Sequence, residues 1–241
     1  MKELLILWVL SAMTAMSPPH REHYEPLAME SYAQADARYR EIAEAIVEES
    51  LAGEPVFDSK GGRISTAMLV TTIFYMESGF RRDIDLGVGN ERLRRAGLND
   101  FGRSWCMGQI NLGFRRVPDP DHPGRWKETS DRATPEGWSG PDLVADRRKC
   151  VRATINALRS SISVCRSLPL TQRLASYAAG SCESELGKHL SEMRMRLFLR
   201  WNYKDRPNLT DEQVLKEVKD AAVPGGDSRA AIQGVLRVST Q

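Results

Sequence analysis

The sequence predicts a mainly α domain, with helices set around long loops that line a groove and one small hairpin within 101–116. Three observations carry that expectation. Apolar residues recur at three- and four-residue spacing in several separate stretches. No stretch alternates apolar and polar residues over a convincing strand length. Residues 81–141 are rich in Gly, Asp, Arg and Pro and lack periodicity, and loops of that length in compact domains are usually functional or disordered.

Bulk composition sets the frame. A chain of 241 residues with 27% charged residues is ordinary globular material, enough for one domain with extensions. The net charge of +2 is too mild to imply a polyanion partner. Arginines do bunch between Arg81 and Arg116, which reads as a solvated face. No RNA-binding signature, zinc-finger spacing or basic heptad accompanies them, so no nucleic-acid partner is expected.

The elements follow in order. Residues 1–16 (MKELLILWVLSAMTAM) place one lysine before an apolar run and end in small residues, the layout of a secretory signal and too short for a stable membrane span. The expected location is therefore outside the cytoplasm, periplasmic or secreted. Residues 17–29 are polar and proline-bearing, a tether. A helical domain is expected over 30–203, and a helical tail over 204–241. From Glu30 to Leu51 the apolar set Ile42, Ala43 and Ile46 marks a helix closed by Gly53-Glu54-Pro55. The next helix, with Ser65 and Thr66 as N-cap candidates, runs to Gly79, a C′ stop. Residues 142–165 are expected to form one helix, with Val151, Ile155, Leu158 and Ile162 in register. Short helices over 170–179 and 187–201 follow. The tail opens on a capping box, Thr210 with Gln213, and runs to about Ala222; a weak helical segment after Pro224-Gly225-Gly226 closes the chain.

The second helix carries an anomaly. Glu77 lies on the same stripe as Leu69, Val70 and Ile73, one residue before the helix ends. A carboxyl on an apolar stripe is either paired or pushed toward its neutral acid by desolvation. A neutral acid near pH 7 is a proton donor, and no buried partner charge for Glu77 is legible in the sequence.

Cys106, Cys150, Cys165 and Cys182 give an even count, which in an exported chain points to two disulfides. Cys150 and Cys165 sit on one expected helix, about 22 Å apart at ~1.5 Å per residue, too far to bridge. Two pairings remain: 106–150 with 165–182, or 106–165 with 150–182. No Cys or His spacing suits a metal, and no cofactor is implied. Without a G-x-S-x-G, P-loop or H-E-x-x-H motif, acyl transfer, nucleotide chemistry and metalloproteolysis have no foothold.

Three short motifs then stand in a fixed order: MESGF, GRSWCMGQINLG and ASYAAGSC. This order resembles the lytic transglycosylases with the soluble, goose-lysozyme-like catalytic domain, whose motifs run E-S-x-F, G-L-M-Q-I and A-Y-N-A-G. The resemblance covers roughly residues 60–203. It implies a lysozyme-like fold and a single catalytic acid/base, Glu77, with no metal. Ser78, Gln109, Ile110, Asn111, Tyr177 and, by a looser match, Glu192 are the implied substrate contacts. It also implies peptidoglycan glycan strands as the partner, cut with formation of 1,6-anhydromuramyl ends. Two departures stand out: Cys106-Met107-Gly108 replaces Gly-Leu-Met, and Ala178 replaces the Asn. A hydrolytic muramidase needs a second carboxylate, for which Asp83 and Asp85 are the nearest candidates. A silent glycan-binding module is the remaining alternative.

Overall fold

The computed structural model describes residues 1–19, 27–90, 102–113, 115–119, 121–129 and 133–222. The expected mainly α architecture is present. Helices α1 (Lys2–Met16), α2 (Tyr32–Ala52), α3 (Gly62–Ser78) and α4 (Arg82–Asp85) precede two short hairpins. Helices α5 (Gly140–Ala145), α6 (Arg147–Val164), α7 (Ala175–Ala179), α8 (Glu185–Tyr203) and α9 (Asp211–Ala222) follow, with a 3-10 turn at Leu170–Gln172.

The centre is α3. Ile64, Ala67, Met68, Leu69, Val70, Ile73 and Phe74 are all inaccessible to solvent, and α1, α2 and α8 pack around it. A helix apolar on all sides is one surrounded by protein. Its hydroxyls are satisfied within the helix: Thr71 donates to the Ala67 carbonyl and Thr72 to that of Leu69, both at 2.8 Å. Ser65 and Thr66 are therefore not the caps that the sequence pointed to. The helix begins one turn earlier, and Thr66 Oγ1 donates back to the Gly62 carbonyl at 2.8 Å while accepting from the Val56 N–H. The cap comes from far along the chain: the Asp211 carboxylate accepts from the N–H groups of Arg63 and Ile64 at 3.1 and 3.3 Å. An acidic group at a helix N-terminus also complements the helix dipole. The same tail shows the expected capping box, with Thr210 N–H donating to Gln213 and Gln213 N–H to Thr210, and buries Val214. The segment after Pro224 lies outside the described residues.

The leader-like segment is α1. Leu5, Val9 and Met13 are fully buried, Trp8 Nε1 donates to the Lys204 carbonyl at 2.9 Å, and Lys2 pairs with Glu48 at 2.6 Å. The tether ends in structure too. Glu30 is buried and paired with Arg38 (2.9 and 3.0 Å), whose Nη1 donates to the Phe80 carbonyl at 2.7 Å. That bond holds the chain just past Glu77. Among the described residues no helix is long and apolar enough to cross a membrane.

Within 102–141 the structure is more regular than its composition indicates. β1 (Ser104–Trp105) and β2 (Ile110–Asn111) form the expected hairpin, with Trp105 opposite Ile110. A second antiparallel pair, β3 (Arg115–Pro118) with β4 (Trp126–Thr129), was not expected. The single helix expected over 142–165 is divided at Asp146, which ends α5 and caps α6 by accepting from the Arg148 N–H at 2.9 Å. The disulfides are Cys106–Cys150 and Cys165–Cys182. Each ties a loop to an end of α6.

Candidate functional site

Glu77 is the last residue but one of α3. Gly79 stops the helix in the left-handed conformation (φ 59°), its N–H bonded to the Tyr75 carbonyl, and Phe80 also has positive φ (58°). Two successive left-handed residues turn the chain away sharply, leaving Glu77 at the lip of a cleft of about 730 Å³. That volume is typical of small-molecule and oligomer sites. Ser78 does not reach the cleft: it is buried, donates to the Phe74 carbonyl at 2.6 Å and accepts from the Phe80 N–H. It shapes the turn. Phe80 is also interior, its ring edge-on to Tyr39 at 5.6 Å.

The facing wall is the turn Cys106–Gln109 and the strand after it. Cys106 and Gln109 both hold positive φ, 53° and 49°, a conformation that costs non-glycine residues free energy and persists only where surroundings enforce it. Here three constraints enforce it. The Cys106–Cys150 disulfide ties the turn to the first turn of α6. Gly108 lies against Thr154, so close that a β-carbon on Gly108 would sit 2.0 Å from Thr154 Oγ1. The hydroxyl of the half-buried Tyr177 donates to the Gly108 carbonyl. Gln109 Nε2 closes the turn on the Cys106 carbonyl at 2.9 Å, which leaves Oε1 without a partner among the described residues. Ile110 and Asn111 continue along the cleft on β2.

The third wall is α7 with the start of the loop beyond it. Tyr177, Ala178, Ala179 and Gly180 line it, joined by Ser160 and Ser161 of α6 and by Ser176. Tyr177 N–H donates to Ser161 Oγ at 3.0 Å. Burial, and after it the charge of Glu77, push the Tyr177 phenol well above its ordinary value, with Arg194 opposing. The hydroxyl is therefore a neutral donor throughout the physiological range.

Glu77, Gln109, Ile110, Asn111 and Tyr177, taken from three distant stretches of sequence, thus share one cleft. Glu192 stands apart, accepting from Gln172 Nε2 at 2.9 Å. Asp83 and Asp85 are buried in ion pairs of α4, the first with Arg81 and the second with Arg147, each at 2.6 Å. Glu77 is the one carboxylate among the described residues lining the cleft.

One expectation is corrected. Glu77 does have a partner charge: Arg194 of α8 donates to Glu77 Oε1 through Nε at 3.0 Å and through Nη2. The pair is 117 residues apart in sequence, and no motif flags it. A signal was present nonetheless. Gly187, Ser191, Arg194, Phe198 and Trp201 form the buried stripe of α8, so Arg194 is a charge on a buried helical stripe, the same anomaly that singles out Glu77.

A second depression, between α2, α4 and α6, is lined by Glu41, Glu48, Asp85, Arg147 and Arg148 among others; Arg147 pairs there with Glu41 and Asp85, and Arg148 with Glu48. Comparison with protein-family models, with curated proteins and with solved structures finds no match to this chain.

Proposed function

We propose that this protein is a peptidoglycan lytic transglycosylase, cleaving the β-1,4 bond between N-acetylmuramic acid and N-acetylglucosamine to leave 1,6-anhydromuramyl ends. The observation that carries the proposal is convergence: residues of three ordered motifs meet in one cleft with a single carboxylate among the described residues. Neutral hydrogen-bonding side chains of serine, glutamine, asparagine and tyrosine share the rest of the lining with Ile110, small alanines and Gly180, a mixed surface suited to an uncharged polyhydroxyl chain.

The chemistry needs one proton moved twice. Glu77, which must first take up a proton against the charge of Arg194, gives it to the glycosidic oxygen as the bond to C1 of the muramyl residue breaks. The substrate's own N-acetyl carbonyl supports the positive charge at C1. The C6 hydroxyl of the same sugar then closes on C1 and returns its proton to Glu77. No water is consumed and the acid is regenerated. A two-carboxylate hydrolase would need a second acid ~5–10 Å from the first to act as nucleophile or to activate water. Asp83 and Asp85 are buried in α4 and do not line the cleft that holds Glu77, which favours the single-carboxylate route. The two disulfides favour an oxidising compartment outside the cytoplasm, where the wall polymer lies.

Glu77→Gln keeps the shape and removes the proton, so clearing of purified sacculi should fall about 10²–10⁴-fold. Asp83→Asn and Asp85→Asn, corrected for lost stability, should leave the turnover of folded protein near wild type. Equal collapse in Glu77→Gln and either Asp variant would favour the hydrolase. One observation supports a second reading, a glycan-binding cleft without turnover: Glu77 is already ion-paired. Wild-type protein that binds sacculi and never clears them would establish it.

A further inference from the structure

Arg194 is a costly residue to place where it stands. Its side chain is 7% exposed, and Nη1 is buried with no hydrogen-bond partner. A buried donor left unsatisfied destabilises a fold, and a buried cation needs a counter-charge. Neither is required for packing, since an uncharged side chain of similar length would fill the same stripe between Ser191 and Phe198. The guanidinium directs Nε and Nη2 at one oxygen of one carboxyl, Glu77 Oε1. Glu77 Oε2 has no hydrogen-bond partner among the described residues, and Glu77 lines the cleft.

We infer that Arg194 is the positioning residue of the acid/base: by holding Oε1 from behind, it fixes the carboxyl plane and leaves Oε2 as the oxygen that exchanges the proton with substrate. This rests on the transglycosylase reading. Both half-reactions use the same oxygen, first as donor to the glycosidic oxygen and then as acceptor from the C6 hydroxyl. The carboxyl must therefore stay in one orientation across the step at which the sugar reorganises. A carboxyl on a free helix end turns about its terminal torsion, which is broad; two donors from one planar group restrain it. Misplacing a reacting atom by ~1 Å can cost about 10²-fold in rate.

The test uses the full chain and purified sacculi, with kcat and KM from released muropeptides and melting followed by circular dichroism. Arg194→Met removes both donors and the charge. Arg194→Lys keeps the charge and one reachable donor. Arg194→Gln keeps a donor without the charge and decides the matter if the methionine variant melts early. The expected result is a kcat about 10²-fold lower in Arg194→Met with KM within about 2-fold, lysine recovering most of the loss and glutamine part of it. A residue that only supported the fold would lower the active fraction and leave the kcat of folded protein unchanged. Wild-type kcat per folded molecule in the methionine or glutamine variant overturns the inference, as does lysine rescuing no better than methionine. A wild-type chain that releases no muropeptide is a different result: it removes the transglycosylase reading itself, and this inference with it.

Discussion

Gly108→Ala is the most demanding test of how the cleft is built. A β-carbon there would lie 2.0 Å from Thr154 Oγ1, 3.2 Å from its Cβ and 3.3 Å from its Cγ2. Thr154 is fully buried, and its hydroxyl donates to the Cys150 carbonyl at 2.8 Å, so turning it aside breaks that bond. Cys150 is itself bridged to Cys106. Neither side of the contact yields, and overpacking of this kind costs about 1–3 kcal/mol. In a chain of this size that lowers the melting midpoint by roughly 3–10 °C. Gln109 adjoins Gly108, so activity on sacculi should fall further than stability does. Thr154→Ala alone removes a hydrogen bond and a methyl and should destabilise by about 1–2 kcal/mol. It also deletes the two closest obstacles other than Cβ. In the double variant Gly108→Ala should then cost little, a coupling of about 1–2 kcal/mol between the positions. Denaturant midpoints of the four proteins measure it. Additive effects, or a Gly108→Ala protein at least as stable as wild type, would show that the turn is not held against α6 as described.

Three further outcomes are expected. Non-reducing alkylation should label no thiol, and selective reduction should cost about 4 kcal/mol for the Cys106–Cys150 loop (separation 44) and about 3 for Cys165–Cys182 (separation 17); peptide mapping that finds 106–165 and 150–182 would overturn the pairing. Tyr177, whose phenol is raised in the folded state, contributes stability that is complete below about pH 10 and is lost as pH climbs through its folded value; urea midpoints between about pH 8 and 11 should fall less steeply in Tyr177→Phe, and identical slopes would refute the assignment. Met13→Ala, at a fully buried position of α1, should cost about 2–5 kcal/mol in the full chain, and an unchanged melting midpoint would show that α1 adds nothing to the core.

What the sequence revealed was mostly local. Gly79 as a helix stop, the Thr210–Gln213 box and the exclusion of a Cys150–Cys165 bridge each rest on a few neighbouring residues, and each is present in the structure. The meeting of Glu77 with Gln109 and Tyr177 was legible only as an ordered set of motifs. What stayed hidden depends on contacts between distant segments. Asp211 caps α3 from the tail, so the start of that helix could not be read from Ser65 or Thr66. Asp146 both ends one helix and starts the next, which periodicity alone runs together. Arg194 was the consequential miss: the stripe of α8 carried the signal, but only the folded chain shows which charge it meets.

The chemical form of the released ends separates a transglycosylase from a hydrolase directly. Purified sacculi are digested with the wild-type protein and the released muropeptides are weighed by mass spectrometry, with Glu77→Gln as control. Fragments lighter by one water than their reducing-end counterparts, resistant to borohydride and missing from the Glu77→Gln digest, are the expected result. Borohydride-reducible ends, or equal release by Glu77→Gln, would contradict the assignment of Glu77 as the sole acid/base of a transglycosylase.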